Sequence, residues 1–367
     1  MSGKTVLGEI HPDKLGVTLP HEHLCVGRYR ELKPDTSDPY WKKPEDPEKL
    51  KIALAPVTPE ILGDIRREVC LNWDNLHVDS FDSAVSELTD YKMAGGSTLV
   101  EVSTYKKTGK ESWDLDIFRK ISSLTKVNII KSVGWYINAS HPDLVFKASV
   151  DDLSKILVKE LTEGIGQTEI KAGLMGELGC SVPLHPDEKK VLLAGAKAQE
   201  KTGAPLTVHV PHFDYTSKRH VAEADKYVDI LEEGNGILEK VYLSHMDPPN
   251  VLQQLDYQRK IMDKGVTLSY DRFGLESIYD DWIFPGAREI PTDSERITAI
   301  TELCKQGYDK NLMLSHDNCM KIQFTKWGGF GDAHILKHIV PSLKHEGVTD
   351  NQIKNMLIDN PKRIFSW

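Results

Sequence analysis

The stretch Gly16-Val17-Thr18-Leu19-Pro20-His21-Glu22-His23-Leu24 decides how the rest of the chain is read. An apolar run with Val and Thr rising out of a glycine predicts a short buried strand. Side chains alternate across a strand, so His21 and His23 share one side and Glu22 takes the other. Two imidazoles on one side at a strand tip can bind one metal ion together, and imidazole suits zinc and similar divalent metals. With 14 histidines in the chain, a pair two residues apart also arises by chance, so the motif needs company.

Outward from this strand the pattern becomes regular. After a polar, Pro-rich excursion over 28–80, strands are predicted over 97–103, 127–136, 170–177, 206–210, 239–245, 266–271 and 311–317. Helical segments over 82–93, 115–124, 150–164, 186–203, 221–234, 252–265 and 294–307 separate them, and two more follow over 332–344 and 351–360. Strands alternating with helices pair in parallel, and eight is the number that closes a barrel. The expectation is an α/β fold, a (β/α)8 TIM barrel of one domain over 1–367 with a long insertion after strand one. A doubly wound open sheet is the alternative, but no Gly-rich phosphate loop follows the first strand. Loops as long as 28–80 are usually functional. This one, with Tyr40 and Trp41, either lids the site or builds a subunit contact in a homodimer.

Polar residues then fall at one kind of place. His21 and His23 end strand one, Glu177 strand four, His209 strand five, His245 strand six and Asp317 strand eight. In a (β/α)8 barrel these C-terminal strand ends converge on the face that carries active sites. Four imidazoles and two carboxylates in one mouth are costly without a counter-ion, whereas two divalent metals supply about four positive charges and suit N/O ligands. Singly, each has a plainer role: a hydrogen-bonded core histidine for His209 or His245, a helix cap for Asp317, a solvated rim charge for Glu177. Six coincident strand-end placements favour the metal reading.

Composition removes other classes. The 367 residues are 40% hydrophobic and 28% charged, enough for a large core, and the net charge of −9 gives no footprint for nucleic acid. No apolar run of about 18 residues exists to span a bilayer. The N-terminal stretch lacks the apolar core of a signal peptide. Five scattered cysteines without a CxxC point to reduced thiols and a cytoplasmic location. Cys25, Cys180 and Cys319 lie near the proposed site and read as small hydrophobes in its wall.

The order His-x-His, strand-four acid, strand-five His, strand-six His, strand-eight Asp resembles the amidohydrolase superfamily. Within it, the stretches 18–23, 176–181, 243–247, 270–274, the Gly-Gly-Phe-Gly run at 328–331 and Asp359-Asn-Pro-Lys-Arg363 resemble the phosphotriesterase-related proteins, from Thr5 to the C-terminus. The resemblance implies one metal held by His21, His23 and Asp317, a second held by His209 and His245, and Glu177 as the bridge. Two divalent ions are expected, zinc first, with manganese or cobalt as alternatives. Many relatives bridge with a carboxylated lysine on strand four. Here Lys171 lies at the wrong end of that strand, and the Gly-Arg-Asp often found after strand two is replaced by Gly109-Lys110-Glu111.

A hydroxide between two metals is a nucleophile at neutral pH, and Asp317 is the group placed to take its proton. Tyr136 could donate its phenol to a substrate carbonyl or be a packed aromatic. Arg272 could pair a substrate carboxylate or sulfonate, or a neighbouring acid such as Asp271. The function expected is hydrolysis of a carboxylic ester, lactone or amide, of the N-acyl amino acid or lactone class, on a small-molecule substrate with neither nucleic acid nor membrane as partner. The alternatives are a phosphotriesterase and a catalytically inactive binding protein on the same barrel.

Overall fold

The eight predicted strands form one parallel sheet in the computed structural model, which describes residues 1–25, 41, 43–104, 114–211, 213–214, 219–278 and 290–367. They are β1 (Thr18–Glu22), β2 (Thr98–Glu101), β3 (Asn128–Val133), β4 (Leu174–Gly179), β5 (Leu206–His209), β6 (Val241–Ser244), β7 (Thr267–Tyr270) and β8 (Leu312–Leu314), paired in chain order. The first and last strands meet where the Asp317 N–H donates to the His21 carbonyl at 3.2 Å and the Ser315 hydroxyl accepts from the His21 N–H at 3.0 Å. The barrel is nearly closed, and its seam runs through the motif that opened the reading.

Helices form where the caps allow. Pro186–Thr202 starts on His185, whose ring accepts the Asp187 N–H, and stops at Gly203 in the left-handed region at φ 71°. Asp293–Lys305 starts on a Thr292–Glu295 capping box. Leu19, Leu99, Ile129, Met175, Val208, Leu243, Leu268 and Leu314 pack outward against the helices. Val100, Ile130, Leu174, Tyr242 and Met313 fill the barrel's inside with Ile364 and Phe365 of the last helix. That filling is apolar, so polar groups gather above it at the C-terminal strand ends.

Two features depart from the sequence reading. The N-terminus forms a small hairpin, Gly3–Thr5 with Gly8–Ile10, at the opposite end of the barrel from the site; Lys171 reaches Glu9 there at 3.4 Å. The excursion is not merely irregular. Residues 26–40 and 42, with Tyr40 among them, lie outside the described residues, but 43–80 carries helices at Pro47–Leu54 and Leu62–Arg67. Trp41, Ile65, Val69 and Leu71 build a second apolar core with Phe213, Leu275, Met320 and Ile322, which follow β5, β7 and β8. The insertion therefore packs on segments that follow β5, β7 and β8. Gly109-Lys110-Glu111 also lies outside the described residues. No helix among them is long and apolar enough to cross a membrane.

Candidate metal centre

Strand geometry brings all six predicted residues to one place. His23 Nε2 lies 3.1 Å and His21 Nε2 3.5 Å from Asp317 Oδ1. Glu177 stands between the two groups, its Oε1 3.8 Å from His23 Nε2 and its Oε2 2.7 Å from His209 Nδ1, 3.6 Å from His245 Nε2 and 3.8 Å from His21 Nε2. His21, His23 and Asp317 offer ligand atoms all within 4.8 Å of one another, as do His21, Glu177 and His245. The Nε2 atoms of His21 and His23 are buried and make no hydrogen bond. A buried nitrogen without a partner is expensive. Lone pairs of nitrogens and carboxylates facing common points at these spacings fit divalent metal ions.

The far nitrogen of each ring is engaged, which sets the tautomer. His23 Nδ1 lies 2.8 Å from the Ser103 hydroxyl. His21 Nδ1 lies 2.8 Å from Ser244 Oγ and 3.3 Å from Asp271 Oδ2, and His245 Nδ1 lies 2.9 Å from Asp271 Oδ1. His209 is turned round, with Nε2 3.1 Å from the Tyr136 hydroxyl. The nitrogens facing Glu177 and Asp317 without a hydrogen bond are thus Nε2 of His21 and His23, while Nε2 of His245 and Nδ1 of His209 lie 2.9 Å from each other and the latter 2.7 Å from Glu177 Oε2.

Backbone shape contributes. Tyr242 and Ser244 point into the barrel, so simple alternation would send His245 outward; a left-handed φ of 62° returns its imidazole. Asp271 Oδ1 holds that turn by accepting the His245 N–H at 2.8 Å. Asp317 is left-handed too, at φ 51°. Such conformations cost a non-glycine residue about 1–3 kcal/mol and cluster at functional sites. In β4 a register shift between Met175 and Leu178 swings Glu177 to the inside.

The charges are mutually arranged. Burial alone would push the Glu177 and Asp317 carboxyls up, but the surrounding imidazoles outweigh it and hold both well below the usual carboxylate range. Burial presses His21 toward its neutral form, yet Asp271, Asp317 and Glu177 keep its pKa well above the ordinary imidazole value. His209 is pulled down to about 4, by burial first and by the charges of His245 and Arg272 besides. The Asp317 side chain is 16% exposed and that of Glu177 only 3%. The first faces the mouth and the second lies inside.

The remaining expectations divide. Tyr136 is neither aimed only at a substrate nor a mere packed aromatic, because its hydroxyl engages His209 and its ring meets that imidazole edge-on at 4.7 Å. Arg272 is half-buried, and its charge reaches both His209 and His245. Cys25 and Cys180 are buried wall residues, and burial pushes the Cys180 thiol well above its ordinary value. Asp271 was legible only as a neighbour of Arg272. A carboxylate at the end of β7, in line with the other strand-end polar residues, was the signal that would have found it.

A (β/α)8 barrel with imidazoles and carboxylates converging at its C-terminal strand ends defines a hydrolase of the metal-dependent barrel class. The profile of the Phosphotriesterase family matches residues 1–365, and the chain belongs to that family. The N-acetyltaurine hydrolase of Salmo salar is 34% identical over 370 residues, covering 100% of this chain and 99% of that protein. A resiniferatoxin-binding protein from Rhodobacter sphaeroides superposes with a TM-score of 0.89 at 31% identity, covering 100% of this chain and 95% of that one. The lactonase Lmo2620 from Listeria monocytogenes shares the fold, with a TM-score of 0.73 at 22% identity over 100% and 99% of the two chains.

Proposed function

We propose that this chain is a binuclear metal hydrolase that cleaves a carboxylic amide or ester, with small N-acylated amino acids and amino sulfonates as the leading substrates and lactones next. The observation that carries the binuclear reading is the pair of unbonded buried nitrogens on His21 and His23, facing Asp317 on one side and, through Glu177, His209 and His245 on the other. His21, His23 and Asp317 would hold one divalent ion, His209 and His245 the other, and Glu177 would bridge. Zinc is the ion proposed, with manganese or cobalt as alternatives. When bound, the metals supply a hydroxide nucleophile at neutral pH and polarise the scissile carbonyl.

The residues of the chain do the rest. Asp317, ionised and facing the mouth, takes the proton at its outer oxygen and returns it to the leaving amine or alkoxide. Tyr136 fixes the ring of His209. Arg272 receives the anionic end of the substrate, which suits the carboxylate or sulfonate of an N-acyl amino compound. The full-length likeness to N-acetyltaurine hydrolase supports the amide and the anionic end together.

The test has two parts. Elemental analysis of protein expressed with added zinc or manganese should give about two metals per chain; one forces a mononuclear scheme, and none removes the reading. Across N-acetyltaurine, N-acetyl amino acids, lactones and an aryl dialkyl phosphate, kcat/KM should be highest for an N-acyl substrate. A phosphate triester better than every carbonyl substrate by about tenfold, or about 1.4 kcal/mol of transition-state preference, would make the chain a phosphotriesterase instead.

A further inference from the structure

We infer that Asp271 couples the two metal positions, so that filling one prepares the other. This rests on the binuclear reading above. The carboxylate is fully buried just past the end of β7 and divides its oxygens between the two positions. Oδ1 accepts from His245 twice, from the backbone N–H at 2.8 Å and from Nδ1 at 2.9 Å. Oδ2 lies 3.3 Å from Nδ1 of His21. On that reading His21 would belong with His23 and Asp317, and His245 with His209, so one carboxylate touches one ring of each position. Those two rings lie 4.8 Å apart between centroids.

The contacts differ in quality. Toward His245 the two bonds are short and formed. Toward His21 the 3.3 Å approach is not a completed hydrogen bond, and Asp271 Oδ2 is left buried without one. The His21 Nδ1 proton is directed instead at Ser244 Oγ, 2.8 Å away, which in turn meets Thr207 Oγ1 at 2.9 Å. His21 is thus held by Ser244, with a second acceptor beside it. Metal on His245 Nε2 would draw electron density from that ring, strengthen the Nδ1–H···Oδ1 bond and fix the carboxylate. A fixed Oδ2 is a better acceptor for His21 Nδ1–H, which aims the His21 Nε2 lone pair at the other position. By reciprocity, metal on His21 improves the hold on His245 equally.

Substitution separates this role from simple packing. Asp271→Asn leaves one oxygen and one N–H2 group. The oxygen can keep the two His245 bonds, and the amide N–H then opposes the His21 Nδ1–H in place of the acceptor that Oδ2 offers it. Asp271→Ala frees both rings and leaves each tautomer unheld.

The experiment is a titration of metal-free protein with zinc alone, read by calorimetry and repeated with cobalt read by its visible absorption. Wild type should take two equivalents in one cooperative step with a Hill coefficient above 1. Asp271→Ala should take them in two separate steps, each at least about tenfold weaker. Asp271→Asn should retain one equivalent. Two equivalents bound independently by wild type overturn the coupling and leave the binuclear reading standing. One equivalent in wild type overturns both. Asp271→Ala taking two equivalents as tightly and as cooperatively as wild type also overturns it. The wild-type titration decides even if a variant fails to fold.

Discussion

Two clusters of histidine and carboxylate sit back to back across the seam between β1 and β8, and their imidazoles are bonded differently. On the inside, His21 and His23 face Asp317 and Glu177 with their Nε2 atoms unbonded. On the outside, Glu22, His316 and Asp332 also bring ligand-type atoms within 4.8 Å of one another. There both nitrogens of the imidazole are taken, although Asp332 Oδ2 is buried without a hydrogen bond. His316 Nδ1 meets Glu22 Oε1 at 2.7 Å, and His316 Nε2 accepts the Ile335 N–H at 3.2 Å. Glu22 further accepts from the Ser315 hydroxyl, the His316 N–H and the Asn318 N–H. Burial first, then the charges of Glu22 and Glu87, raise the Asp332 carboxyl well above its ordinary value. Residue type and burial are alike on the two sides. What differs is the imidazoles: both nitrogens of His316 are hydrogen-bonded, whereas Nε2 of His21 and of His23 are not.

The sharpest way to break the comparison is Asp317→Asn. It keeps the shape and a ligand oxygen but removes the proton acceptor, so kcat should fall by about 10²–10⁴-fold with the melting temperature and most of the metal retained. A kcat near wild type would move the proton transfer elsewhere. Glu22→Gln tests the other face. An amide set among four donors leaves at least one N–H group opposed, and stability should drop by about 2–3 kcal/mol in denaturant melts. Metal content per folded chain should not change; a parallel loss of metal would show that the two faces are not separate.

Tyr136→Phe removes the acceptor that orients His209 and should weaken metal retention by about 10–100-fold, read by competition with a chelating dye. No change would return Tyr136 to substrate contact alone. The smallest effect is one of pH. In the metal-free protein the proton on His21 is held well above the ordinary imidazole value, and metal must displace it. Affinity is therefore reduced below that pKa and rises with pH until His21 is neutral, by about tenfold per unit for one displaced proton. Because His209 titrates at about 4, it adds nothing to the slope near neutrality. A flat profile between pH 6 and 8 would mean that His21 is already neutral without metal.

How much of this was legible in advance depended on the range of the interaction. The alternation of strand and helix, the count of eight and the arrival of His21, His23, Glu177, His209, His245 and Asp317 at strand ends are all one-dimensional facts, since periodicity and order are carried by neighbours in the chain. So is the division of the His-Glu-His tripeptide between two faces. Which face looks inward was not. Leu19 packs outward, and a register shift between Leu19 and Glu22 is needed before His21 points into the barrel. His245 and Glu177 likewise break strict alternation, through a left-handed residue and a register shift that no periodic pattern contains. The role of Asp271, the turn of Tyr136 toward His209 and the helices and separate core of the insertion were decided only by the fold. Each depends on groups brought within about 3 Å from distant parts of the chain, and a hydrogen bond is lost over a few tenths of an ångström. Sequence order therefore set which residues reach the mouth of the barrel, and tertiary contact set which of their atoms remain available there.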